Sequence, residues 1–499
     1  MLLALFAALI ALGSAESEGN AFVFTHSTSS SHLNVLFNVA DKLSNFDVYD
    51  VRWPMIESVA KHKAPERFRS VFSDRAMEWS AKLKQWVDAS GWDSEPGNEQ
   101  EGRPSLLSMI ASGAHLIVMP CDFKDPIVAE RTFASNITLI DPFSTLCGIA
   151  RARDMRSRYM FVSALIEPMA LASLSGGDLP KSYAMSNILA KPCGKMNLVD
   201  RSLNFFAHGF FSVFIGAQLP LAGHLFGRND LFAPVEPSFV LVNGHRFLDE
   251  ALPRTFAYID IAHRGNVASK AEIDADLLSF VENAAFRKIV AFSMSTFTCD
   301  GEMPESFRKM FVEAFSDDRF KDIGFVWRIN APDDEFKRAN IKIVSWIAQR
   351  ALFEHPKTSG VISHCGRNSF LEAVQSAIPV LCIPQTGDQF YQAAQVVELG
   401  AGLTIQQSDL TVDLLIEAID RLIKNEKIHN KVSGLSEMLN DDEALYATTS
   451  TSEWWLRYFI RHGDDQLRKF VFPKMPPELI PFSQLVMLVF VVLLAILSK

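Results

Sequence analysis

The chain has 499 residues, 48% hydrophobic and 21% charged, with 48 Lys and Arg against 58 Asp and Glu for a formal net charge of −10. A length of this order gives roughly two to four domains, with cores large enough to need neither disulfide staples nor a structural metal. The acidic balance argues against phosphate-backbone binding, which requires clustered Lys and Arg, so nucleic acid is not an expected partner.

In chain order, Leu2 to Leu12 form an unbroken apolar run followed by Gly13-Ser14-Ala15. The run is too short to cross about 30 Å of hydrocarbon as a helix, and the small residues suit a cleavage site. Residues 1–15 therefore read as a signal peptide, with a buried N-terminal helix as the alternative. Ala21 to Thr25 is a short apolar strand, then comes a Ser/Thr loop, and from Leu33 the residues Leu36, Phe37, Ala40 and Leu43 recur at helical spacing. This places His32 at a strand–loop–helix junction. A polar stretch from Ser90 to Ser105 reads as a surface loop. Asn136-Ile137-Thr138 is the one Asn-x-Ser/Thr acceptor with a permitted middle residue, which makes Asn136 a candidate glycosylation site. Ile137 to Ile140 is a further strand, stopped by Asp141-Pro142. Met185, Met196 and most of the 39 phenylalanines read as core, although Phe205, Phe206, Phe210 and Phe211 could line an apolar pocket.

From about residue 256 strand-like runs follow at 289–292, 324–327, 341–344, 360–362, 380–383 and 403–405, separated by stretches of helical composition. This alternation predicts a doubly wound parallel sheet, which binds ligands beyond the carboxyl ends of its strands. One such end carries dense chemistry. Gly360 to Ser369 runs from strand through a small-residue turn into a helix expected over Ser369 to Ala377. Gly366 permits close backbone approach, and the first helical turn presents unpaired N–H groups suited to an anion. His364, Asn368 and Ser369 add side-chain donors that suit a diphosphate, and Glu372, one turn further in, can accept from a ribose diol. An ordinary helix start accounts for part of the same pattern.

No metal is implied. Asp274-Ala275-Asp276 precedes Leu277-Leu278, Phe280 and Val281, where acidic residues favour a helix start over an ion site. His355, His364 and Cys365 lack the spacing of a zinc site, and the six cysteines, Cys121, Cys147, Cys193, Cys299, Cys365 and Cys382, form no Cys-x-x-Cys pair. At the far end Ile480 to Leu497 is long enough, about 27 Å at 1.5 Å per residue, for a single-span anchor, with only Ser498 and Lys499 beyond it. A terminal core helix is the alternative. Arg461, Arg468, Lys469 and Lys474 before the span would by themselves place the bulk of the chain in the cytosol. The signal peptide acts first, however, and favours a lumenal body with a two-residue cytosolic tail, 498–499.

The stretch Trp346-Ile-Ala-Gln349, His355-Pro356, Ile362 to Ser369, Glu372-Ala373, Ile378-Pro379, Pro384, Gly387-Asp388-Gln389 and Glu398-Leu399-Gly400 resembles the donor-binding signature of the UDP-glycosyltransferases. Thr28 to Asp41, Asp141-Pro142 with Cys147-Gly148, Asn243 with Phe247-Leu248-Asp249, Phe292-Ser293, Met303-Pro304 and the terminal span extend the resemblance to the membrane-anchored animal UDP-glucuronosyltransferase/glucosyltransferase branch. The resemblance implies an α/β fold of the GT-B kind. Two facing Rossmann-like domains are expected, at 16–255 for the acceptor and 256–479 for the UDP-sugar, followed by a transmembrane helix at 480–497.

The same resemblance assigns roles. Trp346 would stack on the uracil, Gln349 would contact base or ribose, and Glu372 would hold the ribose hydroxyls. His364, Gly366, Asn368 and Ser369, with Thr296, would grip the diphosphate, and Asp388 and Gln389 would bind the sugar. His32 would act as general base on the acceptor hydroxyl, oriented by Asp141, so that direct attack inverts the anomeric centre. The helix dipole is expected to keep His32 unprotonated. UDP-glucose or UDP-glucuronate would be a co-substrate, with no metal cofactor and a small lipophilic acceptor. Residence as a single-pass type I protein of the endoplasmic reticulum, and homo-oligomerisation, are compatible with the branch. Two positions depart from its pattern: Ser295 replaces a glycine in Ser293-Met294-Ser295-Thr296, and Asn45-Phe46 replaces a Gly-His pair. A catalytically weak relative that only binds a lipophile or nucleotide sugar is the alternative reading.

Overall fold

The computed structural model describes residues 19–25, 30–52, 64–72, 135–142, 145–166, 168–177, 179, 184–186, 189–209, 235–262, 272–294, 303–329, 338–385, 387–444 and 451–463. The first domain is built from β1 (Gly19–Thr25), α1 (Ser30–Ala40), β2 (Phe46–Arg52), β3 (Arg69–Phe72), β4 (Ile137–Ile140), α2 (Thr145–Asp154), β5 (Arg158–Ser163), α3 (Pro168–Leu174), β6 (Val240–Val242) and β7 (Tyr258–Asp260). Its strands form one parallel sheet in the order β3-β2-β1-β4-β5-β6-β7. Helices cover both faces of such a sheet, so its central strands are apolar on both sides. All four residues of β4 are accordingly buried. On α1 the residues Leu33, Leu36, Phe37 and Ala40 turn inward as their spacing predicts.

The second domain contains α4 (Ala275–Val281), β8 (Lys288–Ser293), α5 (Glu305–Phe315), β9 (Ile323–Arg328), β10 (Ile341–Val344), α6 (Gln349–Phe353), β11 (Thr358–Ser363), α7 (Arg367–Gln375), β12 (Val380–Cys382), α8 (Asp388–Glu398), β13 (Gly402–Thr404), α9 (Val412–Lys424) and α10 (Glu426–Ala444). Its parallel sheet runs β10-β9-β8-β11-β12-β13, and all six strands anticipated from the sequence are present. Asp274 caps α4, its carboxylate accepting from Asp276 N and Leu277 N, so the Asp-x-Asp pair starts a helix as expected. Cys365 and Cys382 form a disulfide with Cα atoms 5.2 Å apart.

Two features correct the expected division at 255/256. β7 lies beyond that boundary yet pairs with β6, because Val240 to Val242 offers a free edge to Tyr258 to Asp260. The last described helix, α11 (Thr451–His462), also returns to the first domain, where Leu456 and Phe459 are buried with Ala21, Leu36 and Phe239. Phe239 packs against Trp455, Tyr458 and Phe459 at centroid distances of 5.1, 6.2 and 5.8 Å. Among the described residues no helix is long and apolar enough to cross a membrane. The expected leader at 1–15, the loop at 90–105 and the expected anchor at 480–497 lie outside them.

Candidate active site

In each sheet the strand order reverses once, between β1 and β4 and between β8 and β11. The carboxyl ends flanking such a reversal diverge and leave a crevice. In the first domain the chain leaves β1 and re-enters as α1, whose first turn carries His32, while β4 runs directly into Asp141. Two residues 109 apart in sequence thus meet, with His32 Nδ1 2.6 Å from Asp141 Oδ2. Their side chains are 12% and 0% exposed. With the Nδ1 proton donated to the carboxylate, Nε2 is the nitrogen that can take a proton. Burial lowers the His32 pKa, but the Asp141 charge, the Asp141 hydrogen bond and the Asp388 charge raise it and prevail, leaving it above 6.5. The dipole-based expectation of a depressed value is corrected accordingly: two nearby carboxylates outweigh burial and raise it.

In the second domain β11 ends in the turn His364-Cys365-Gly366. Cys365 takes the left-handed conformation (φ 64°), and its disulfide ties the turn to the end of β12. Gly366 is required by close approach, since a Cβ there would lie 2.3 Å from His364 Nε2. α7 begins at Arg367, two residues earlier than expected, because Gly366 itself is the N-cap. Asn368 and Ser369 therefore both lie in the first turn, beside its N–H groups. Burial, with a smaller push from Arg328, holds the His364 pKa at about 4 against an opposing hydrogen bond to the Ser293 backbone, so the ring is neutral. Gln349 Nε2 donates to Glu372 at 2.7 Å and to Ser369 Oγ at 3.2 Å, which brings three of the expected donor-site residues together. Burial raises the Glu372 carboxyl, with Gln349 opposing. Trp346 is 68% exposed and offers an open indole face.

Asp388 opens α8 after Gly387, which holds a positive φ of 58° that suits glycine. Burial pushes the Asp388 carboxyl up to about 6, against the attraction of His32. The acid expected at the sugar and the base expected at the acceptor are therefore electrostatic neighbours across the two domains. Gln389 Oε1 accepts from Gln385 N at 2.8 Å and closes the loop before α8. Thr296 and the departure at Ser295 lie outside the described residues, as do Phe210 and Phe211; Phe205 is 48% exposed. Asn136 is exposed before β4 and its Oδ1 accepts from Asn20 N.

One residue missed by the sequence reasoning is Arg328. It ends β9 in register with Ser293 on β8, its guanidinium lies 5.9 Å from the Trp346 ring, and its charge reaches His364. The available signal was a cation immediately after the apolar run Gly324 to Trp327, at a strand's carboxyl end.

The sequence profile of the family described as "UDP-glucoronosyl and UDP-glucosyl transferase" matches residues 122–471, most of the chain. The chain belongs to this family. UDP-glucuronosyltransferase 1A7 of Rattus norvegicus is 26% identical over 403 residues, covering 78% of this chain and 72% of the relative. A UDP-glucuronosyltransferase of Pleuronectes platessa is 27% identical over 236 residues, 47% of this chain and 45% of the relative, so that alignment spans about half of each. Among solved structures, a UDP-glucose:anthocyanidin 3-O-glucosyltransferase in complex with UDP superposes with a TM-score of 0.55 at 15% identity, covering 89% of this chain and 99% of that one. The glycosyltransferase SnogD from Streptomyces nogalater gives 0.56 at 15%, covering 89% and 100%. At such identities the likeness is one of fold, and it places this UDP-glycosyltransferase among two-domain GT-B proteins.

Proposed function

We propose that the protein transfers glucose or glucuronate from a UDP-sugar to a hydroxyl of a small lipophilic acceptor, with inversion at the anomeric carbon. The observation that carries this reading is the His32–Asp141 pair at one sheet reversal, facing Asp388 of the other domain. His32 Nε2 takes the acceptor proton as the oxygen attacks the anomeric carbon. The bond from that carbon to UDP breaks, and UDP leaves with the electron pair. Asp141 holds the tautomer and stabilises the imidazolium. Trp346 stacks on the uracil and Glu372 accepts from the ribose hydroxyls. The diphosphate rests on the first turn of α7, with Asn368, Ser369, neutral His364 and the cation of Arg328 around it; the contact of Thr296 is the one the family resemblance implies. Asp388 and Gln389 hold sugar hydroxyls, and no step requires a metal.

A UDP-release assay with a panel of phenols and sterols, comparing wild type with His32→Ala, tests the reading. Release well above the variant's background is expected; equal release from both would leave only binding of a nucleotide sugar or lipophile. Competition between UDP-glucose and UDP-glucuronate decides the donor. The sequence features further support a cleaved leader at 1–15, a lumenal body and an anchor at 480–497, and the family resemblance alone suggests the endoplasmic reticulum. A glycan at Asn136 would have to be added before β4 closes, because Thr138 is buried with its hydroxyl donated to Ser157 Oγ. Endoglycosidase sensitivity of the full-length protein in membranes tests that orientation.

A further inference from the structure

We propose that Asn243, a residue of the first domain, is a positioning residue for the donor diphosphate, acting by orienting the Asn368 amide of the second. The proposal rests on the reading of the turn at 364–369 as the diphosphate grip. Asn243 follows β6 and is almost fully buried. Its N–H donates to Ser163 O at 2.8 Å, and its own carbonyl accepts from Arg367 Nε at 2.7 Å. Its side-chain Nδ2 donates to Ala164 O at 3.2 Å and to Asn368 Oδ1 at 2.6 Å.

The logic turns on which atom faces which. A peptide carbonyl can only accept, so Ala164 fixes the amide end of Asn243 as the NH2 group. That NH2 in turn demands an acceptor from Asn368, which must present Oδ1 to it. The planar Asn368 amide then carries Nδ2 on its other side, the end that can donate to a phosphate oxygen. Beside it, Arg367 holds Asp249 through two bonds, at 2.7 and 2.8 Å, and reaches Gln392 Oε1 at 3.1 Å. All three side chains are buried. The bidentate pair fixes the distance between the domains, and Asn243 fixes which face of an amide the donor meets. Diphosphate affinity therefore depends on a residue that touches no part of the nucleotide.

The test titrates UDP and uridine separately into the full-length protein. Asn243→Asp replaces a donor by an acceptor, draws Asn368 Nδ2 toward itself and turns Oδ1 toward the phosphates. UDP affinity falls about tenfold or more, the scale of one lost hydrogen bond to a charged group. Uridine, which has no phosphates, keeps its affinity within about twofold. In an Asn368→Ala background Asn243→Asp causes no further loss, since the amide through which it acts is gone. If Asn243→Asp does not fold, Asn243→Ala, which merely releases the amide, gives the same comparison with a smaller UDP effect. Equal losses for UDP and uridine, unchanged UDP affinity, or additive losses in the double variant would overturn the proposal. Wild-type protein that binds neither ligand overturns the underlying reading, and this one with it.

Discussion

His32, in the proposed role of general base, has a proton affinity set by its neighbours. Because its pKa is raised, the residue is protonated and idle below that value, so transferase activity at saturating donor should fall as pH drops through a point above 6.5. Asp141→Asn removes the charge that holds the value up while leaving the burial that lowers it. The acid limb of the rate profile should move to lower pH, together with a lower maximal rate. His32→Ala should cost about 10² to 10⁴ in rate while leaving UDP affinity unchanged, as measured by single-turnover kinetics and by titration. Arg328→Gln should act oppositely, weakening UDP about tenfold without moving the pH profile. Most of the proposed donor-site residues fall within one stretch, 346–389, where spacing and resemblance reinforce each other, and the structure brings Gln349, Ser369 and Glu372 of that stretch into contact. Arg328 was not legible in the sequence, because only pairing of β9 with β8 brings it beside Ser293 and the Trp346 ring. Asn243 with Asn368, and Arg367 with Asp249, were invisible for the same reason: each pair is more than 110 residues apart and joins two domains.

At the scale of single elements, parallel strands buried on both faces announce themselves as short apolar runs, which is why β8 to β13 could be placed almost to the residue. The helix α7 shows where such reading slips. Its apolar face begins at Phe370, but its start is set by Gly366, whose missing side chain makes room for His364. Gly366→Ala would drive a Cβ into the His364 ring, an overpacking expected to cost about 1 to 3 kcal/mol and to displace the imidazole. Thermal denaturation should show the loss of stability, and UDP titration a loss of affinity larger than that for uridine. A variant that keeps wild-type UDP affinity would show that His364 contributes nothing to the phosphate grip.

Across the whole molecule the parallel sheet of the second domain follows from the strand pattern, whereas the strand orders, with their reversals, and the attachment of α11 do not. Its apolar residues Leu456 and Phe459 have helical spacing but carry no mark of which domain they join. Both are fully buried in the first domain's core. Phe459→Ala should therefore destabilise the protein by about 3 to 5 kcal/mol. Limited proteolysis should then open sites within residues 19–262 before those of the second domain, although the substitution lies near the far end of the chain. Faster cleavage confined to the second domain would contradict this assignment. The same clasp bears on the order of events during synthesis. A nascent chain usually folds its first domain as soon as that domain has emerged. Here the described strands and helices between 19 and 262 leave the ribosome with a gap in their core, and Leu456 and Phe459, which fill it, are made about 190 residues later. The second domain's core, which draws on Leu248, Ala262 and residues between 277 and 439, uses nothing made after α10 and can close before the first is complete. The domain that is translated first is thus the one whose core is completed last.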